Sequence, residues 1–146
     1  VKTYADTSFL FSLYATDSQS QKADVWRKSN PGPLPFTTFH RLELRNALGL
    51  AVFQKRITKL EADSAWLEVE NDIAAGSLAV RGGLWHRVLA DAELSALNHT
   101  PMIGCRTLDV LHVASAKLIG ASEFCTFDIR QFKLAGSEGM IAVTPL

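Results

Sequence analysis

Long apolar runs are missing from this 146-residue chain, although 47% of it is hydrophobic. No stretch approaches the ~18–20 residues that span a bilayer, so no membrane partner is expected. The opening segment VKTYADTSFLFSLYA is broken by Asp6 and by hydroxyl residues and carries no basic leader, which reads against a signal peptide. Cysteine is scarce. Cys105 and Cys125 are the only two, so a chain of this size need not depend on a disulfide, and a reduced, cytoplasmic setting is expected. Excess charge of one sign is absent as well: fifteen Lys and Arg balance fifteen Asp and Glu. Proteins that live by phosphate contacts usually show a basic face. Setting four acids aside for a cation leaves a modest positive remainder, and neutrality suits a protein that associates. No linker-like or repeated tract occurs, and the length fits a single domain over residues 1–146.

Several catalytic signatures are missing too. There is no G-x-S-x-G elbow, and neither Gly82-Gly83 nor Gly136-Ser137-Glu138-Gly139 makes a G-x-G-x-x-G dinucleotide loop. A haloacid-dehalogenase phosphatase needs a second Asp two residues after the first, where this chain has Ser8. The paired acids and late Lys of a receiver domain are not evident. His40, His86 and His99 have neither paired spacing nor cysteine company, which argues against zinc. His112, one helical turn from Asp109, is expected to be a hydrogen-bonded core histidine. Trp26, Trp66 and Trp85 fall in helical patterns and read as core or interface rather than base-stacking platforms.

What is present is an alternation of strand-like and helix-like segments. Residues 2–5 read as a strand, and Phe9, Leu10, Leu13 and Tyr14 then recur at helical spacing. A helix is expected over 19–28, ended by Asn30-Pro31-Gly32-Pro33. A strand over 34–37 leads into a helix capped by Thr38, with Phe39, Leu42, Leu44, Leu48, Ala51 and Val52 on its apolar face. Thr58 and Glu61 form a capping box that opens a helix through Ile73, and Gly76 closes it. A third strand at 78–80 precedes a helix from Leu84 to Leu97. Thr107 is expected to cap a helix so apolar around its circumference that it must be buried on several sides. Strands are expected at 123–127 and 140–144. The alternation predicts an α/β fold, with a parallel sheet covered on both faces.

Four acids sit where these runs change character. Asp6 ends the first strand, and Asp128 ends the fourth. Glu43 lies between Leu42 and Leu44 in a helix, and Asp109 falls in the first turn of the apolar one. Taken singly, each has an ordinary role: a helix cap, a solvated helix carboxylate, a complement to the helix dipole, an Asx turn. Taken together, carboxylates at the carboxyl ends of parallel strands and in adjoining first turns are expected to converge on one sheet edge. Gathered there they repel one another, and a hard divalent cation such as Mg²⁺ or Mn²⁺ relieves the repulsion through oxygen ligands. The same repulsion leads us to expect that Asp109→Asn keeps the fold and stabilises the metal-free form. Arg106, Arg130 and Lys133 flank the third and fourth acids and are candidates for phosphate contacts, against simple solvation.

The residues around these acids resemble a known family. Tyr-Ala-Asp6-Thr-Ser, Arg-Leu-Glu43-Leu-Arg-Asn46-Ala-Leu, Arg106-Thr-Leu-Asp109-Val-Leu-His112-Val-Ala-Ser-Ala and Thr126-Phe-Asp128-Ile-Arg-Gln-Phe132 follow, in order, the pattern of PIN domains. Within them the chain is most similar to the VapC-type ribonuclease toxins of toxin–antitoxin pairs, and the likeness covers essentially the whole sequence. It implies an α/β/α sandwich around a five-stranded parallel sheet of order 3-2-1-4-5. It implies Mg²⁺ or Mn²⁺ held by Asp6, Glu43, Asp109 and the more variable Asp128. Thr7 or Ser8 and Thr126 would steady them; Asn46 is a candidate on spacing alone, one helical turn from Glu43 and placed to orient it or to ligate through water. It also implies an RNA substrate, an antitoxin partner and a homodimer. The alternative keeps the fold without the chemistry: a PIN-like module that binds RNA or protein.

Overall fold

The computed structural model describes residues 2–83 and 85–146. Along the chain the elements are β1 (Thr3–Ala5), α1 (Thr7–Tyr14), α2 (Ser20–Ser29), β2 (Leu34–Thr37), α3 (Thr38–Phe53) and α4 (Lys59–Ala75). They continue with β3 (Leu78–Arg81), α5 (Trp85–Ile103), α6 (Thr107–Ile119), β4 (Glu123–Cys125), α7 (Ile129–Ser137) and β5 (Ile141–Val143). The fold is α/β, and every strand pairing is parallel. The strands are divided over two sheets, β1-β4-β5 and β2-β3. Both sets of neighbours occur in the order 3-2-1-4-5. The contacts gather in two compact units, Thr7–Gly82 with Leu146, and Val1–Asp6 with Gly83–Pro145.

The second of these units carries β1, β4, β5 and helices α5 to α7. Tyr4 pairs with Phe124 in the β1–β4 register, so their rings share one sheet face and stack 5.4 Å apart. Val88, Val110, Val113, Leu134 and Met140 close the core around them, each large apolar side chain contributing about 1.5–3 kcal/mol by leaving water. Helix α6 is buried on several sides, as its composition predicts. His112 on it is a core histidine, its Nδ1 2.8 Å from the Tyr4 hydroxyl. Tyr4→Phe is expected to lower stability by about 1–2 kcal/mol, because a buried hydrogen bond is lost without change of shape. Urea denaturation would measure it, and an unchanged midpoint would show that the bond contributes nothing net.

In this unit the structure departs from the sequence reading in three places. Helix α5 runs on to Ile103 with Pro101 inside it, past the expected end at Leu97; its expected first residue, Leu84, lies outside the described residues. Tertiary contact explains the extra turns, since His99 Nε2 reaches Glu138 Oε1 at 3.3 Å. The N-cap of α6 is Arg106, not Thr107. Helix α7, which the sequence reading omits, begins at Asp128, whose carboxylate accepts from the N–H groups of Arg130 and Gln131.

The other unit packs α1 to α4 with the β2-β3 pair. Leu34, Phe36, Leu44, Leu48, Val69 and Leu78 are buried in it. Its helices are bounded largely as the sequence predicts. Thr58 and Glu61 exchange both bonds of their capping box, at 2.9 and 3.1 Å, and Gly76 ends α4 at φ 81°, a left-handed position where a side chain would be strained. The cap of α3 is Thr37 rather than Thr38. Thr37 Oγ1 accepts from the His40 N–H, and His40 Nδ1 accepts from the Thr37 N–H, both at 3.1 Å. That exchange satisfies an imidazole buried at the helix start. The Arg41 and Arg45 guanidiniums lie 5.1 and 4.4 Å from the ring centre of Trp66, which makes this tryptophan a half-exposed platform rather than core. Among the described residues no helix is long and apolar enough to cross a membrane.

Candidate active site

Parallel register builds the site. Ala5 pairs with Cys125, so the next residues along, Asp6 and Thr126, stand side by side at the carboxyl edge of β1 and β4. The ladder continues to them: the Asp6 N–H donates to the Cys125 carbonyl at 3.2 Å, and the Thr126 N–H to the Val143 carbonyl at 3.0 Å. Both side chains are wholly buried. Thr126 Oγ1 donates to Asp6 Oδ2 at 2.7 Å and accepts from the Asp128 N–H at 2.8 Å. The amide behind it fixes the direction of the hydroxyl proton, toward the carboxylate.

Asp128 divides its two oxygens. Oδ1 caps α7, taking the Arg130 and Gln131 N–H groups at 2.8 and 3.2 Å. Oδ2 takes the Arg106 guanidinium at 2.9 Å. Asp109 is 1% exposed and sits in the first turn of α6, where the helix dipole favours an anion. Its Oδ2 accepts from the Arg106 N–H at 2.8 Å and its Oδ1 from Gln131 Nε2 at 3.1 Å. The guanidinium approaches both oxygens at 3.4 Å. Arginine has no acceptor, so α6 carries only the carboxylate half of a capping box.

Arg106 therefore bridges two of the predicted acids, rather than waiting for phosphate alone. Among the described residues no group of three or more His, Cys, Asp or Glu side chains stands ready to hold a metal ion. Between Asp109 and Asp128 the repulsion of the carboxylates is answered by the guanidinium. The donor chemistry nevertheless suits a hard cation: buried carboxylate oxygens, and Gln131 Oε1, a buried acceptor with no hydrogen-bond partner among the described residues. The thiols suit nothing of the kind. Burial, and then nearby Asp6, pushes Cys125 well above the ordinary thiol range, and burial also raises Cys105. Both are free cysteines, held in their poorly nucleophilic form.

Three solved structures share this arrangement of the chain. VapC20 of Mycobacterium tuberculosis, a sarcin–ricin loop cleaving toxin, matches over 99% of this chain and 100% of its own, with a TM-score of 0.71 and 18% identity. FitAcB from Neisseria gonorrhoeae matches over 96% of this chain and 95% of its own, with a TM-score of 0.63 and 16% identity. PAE2754 from Pyrobaculum aerophilum matches over 98% and 90%, with a TM-score of 0.59 and 19% identity. The fold is the one that VapC20 has. At these identities what is shared is the fold. No family model and no curated protein matches the chain by sequence.

On this fold the remaining predicted residues fall as follows. Glu43 is half-buried on α3, with Asn46 exposed further along the same helix; Thr7 is buried and Ser8 exposed at the start of α1. Arg130 and Lys133 are exposed on α7 at helical spacing, and neither has an ion-pair partner among the described residues. Gln131 is the residue that sequence reasoning missed. Its signal was there: Asp128-Ile129-Arg130-Gln131 has the spacing of a capping box. The structure uses only half of that motif. Asp128 caps the helix, while Gln131 turns to Asp109, because the Asp128 N–H is already taken by Thr126.

Proposed function

We propose that the chain is a metal-dependent endoribonuclease that hydrolyses phosphodiester bonds in RNA, as the toxin of a cytoplasmic toxin–antitoxin pair. One observation carries this reading: the Thr126 hydroxyl, placed by strand register, orients the buried Asp6 carboxylate, with Asp128 at its back. A buried carboxylate gains little by being so arranged unless something positive meets it. Asp6, Asp109 and Asp128 would hold Mg²⁺ or Mn²⁺, with Glu43 completing the set as the family resemblance implies in a five-stranded single domain. A bound divalent ion supplies Lewis acidity at the phosphate and neutralises the charge that develops there. The chain's own residues do the rest. Thr126 fixes the Asp6 orientation, Gln131 fixes that of Asp109, and the exposed cations Arg130 and Lys133 on α7 offer contacts to the RNA backbone. No covalent intermediate is required, and the cysteines offer no nucleophile.

Sarcin–ricin loop cleavage by VapC20 makes structured RNA the substrate class to try first. Homodimerisation and restraint by an antitoxin complete the proposal. The non-catalytic reading, a PIN-like binding module, draws on Arg106, which neutralises two of the acids from within. Antitoxin-free protein, a panel of structured RNA hairpins and Mn²⁺, Mg²⁺ or EDTA separate the two. We expect cation-dependent cutting that EDTA stops and that Asp6→Asn reduces by at least about a hundredfold, the scale of losing one charge-stabilising group. Binding of the RNA without cutting, in every metal, would establish the module instead.

A further inference from the structure

Arg106 is placed to do more than touch substrate. Its side chain is 62% exposed, yet its guanidinium engages Asp128 Oδ2 at 2.9 Å and both oxygens of the buried Asp109 at 3.4 Å. The backbone N–H of the same residue caps α6 through Asp109 Oδ2, so helix geometry does not depend on what the side chain does. A long arginine side chain that is largely exposed can leave the two carboxylates without disturbing that cap when a divalent ion takes its place, since the buried Asp109 carboxylate is costly only if left uncompensated.

We propose that Arg106 is a displaceable internal counter-ion: it occupies Asp109 and Asp128 when no cation is bound and withdraws when one enters. The idea rests on the nuclease reading above, because it assumes that these acids meet a divalent ion. Two positive groups cannot share the same two carboxylates closely, so guanidinium and metal compete. Arg106 thereby sets the cation affinity of the site, and its release turns a fixed ion pair into a mobile cation beside the acids as they become loaded. A structural clamp makes the opposite prediction. If the guanidinium merely held Asp109 and Asp128 in register for an ion, removing it would weaken cation binding.

The test is calorimetric titration of Mn²⁺ into RNA-free protein, comparing wild type with Arg106→Gln and Arg106→Lys, beside melting temperatures in EDTA and in saturating Mn²⁺. Competition predicts that Arg106→Gln binds Mn²⁺ roughly fivefold more tightly, the equivalent of a half-exposed ion pair. The Lys variant, which keeps the charge, should stay near wild type. It also predicts that Arg106→Gln melts lower in EDTA and that the gap closes when Mn²⁺ saturates, as binding to the folded state requires. Unchanged or weaker Mn²⁺ binding in Arg106→Gln, with normal binding in wild type, would overturn the proposal and leave the nuclease reading standing. If no variant binds Mn²⁺, the metal-dependent reading falls, and the counter-ion with it. Arg106→Lys guards against misfolding as the cause of any loss.

Discussion

Asp109→Asn should abolish cation-dependent RNA cleavage and, in EDTA, lower stability by about 1–3 kcal/mol. The second half reverses what crowding of carboxylates alone would suggest. On that simpler argument, neutralising one acid relieves repulsion and stabilises the metal-free protein. The structure shows that the repulsion is already answered. Asp109 accepts from the Arg106 N–H, from Gln131 Nε2 and from the guanidinium, and the same guanidinium pairs with Asp128. An asparagine keeps the volume but carries only one acceptor oxygen. If its NH₂ replaces Oδ2, it faces the Arg106 N–H; if it replaces Oδ1, it faces the Arg106 guanidinium, and Gln131 must turn its Oε1 inward to stay bonded. Either way, donor meets donor in a buried place, and a charge-assisted bond is lost. Because the swap leaves no cavity, the loss reads polar satisfaction alone. Urea denaturation in EDTA measures it, with Mn²⁺ added in parallel: wild type should gain stability with concentration and Asp109→Asn should not. A variant more stable than wild type in EDTA would restore the repulsion argument and show that Arg106 contributes nothing to the resting site.

How much of this was legible follows from where each interaction lives. Elements with their own local signals were predicted well: the Thr58–Glu61 box and Gly76 frame α4, and the crowded apolar circumference of α6 foretold its burial. Strand-end acids could be marked as candidates because Asp6 and Asp128 interrupt apolar runs. Their partners could not be marked. That Thr126 donates to Asp6 depends on the β1–β4 register, a pairing across 120 residues that no local pattern encodes. Arg106 looked like a surface cation because its distance to Asp128 exists only after α6 and α7 have packed. Helix α7 is missing from the sequence reading for a different reason: Asp128 reads there as a strand end with an Asx turn, although Asp-x-x-Gln is also a helix-start signal. The length of α5 was hidden by Pro101, whose helix-breaking tendency yields here to tertiary contacts of Ser95 and His99.

Those contacts converge on Glu138, and its replacement should produce a large stability loss. Ser95 Oγ donates to Glu138 Oε1 at 2.7 Å, and Lys117 Nζ donates to Oε2 at 2.9 Å. Asp91, Ser95 and His99 lie four residues apart on α5 and so form one polar stripe along the helix. Lys117 closes the last turn of α6 and Glu138 the end of α7, so one carboxylate fastens three helices. Burial raises the Glu138 pKa, but the bonds from Lys117 and Ser95, with the charges of Lys117 and His99, outweigh it and bring the group below its ordinary 4.5. Lys117 moves the other way, held above 10.5 chiefly by its bond to Glu138. A carboxylate with a lowered folded pKa contributes stability that is fully present above its unfolded value and is lost as pH falls through the folded one. The raised lysine contributes below 10.5 and loses its share only as pH climbs through its folded value. The fastening is therefore complete between about pH 4.5 and 10.5 and opens first on the acid side. Glu138→Ala should cost about 2–3 kcal/mol at pH 7, less than a fully buried pair because Lys117 is one-third exposed. Glu138→Gln should cost less, keep the Ser95 bond, and flatten the decline in stability below pH 4.5. Denaturation midpoints from pH 3 to 8 decide it, since an acid decline in Glu138→Gln as steep as in wild type would assign acid sensitivity to other carboxylates and leave Glu138 as packing alone.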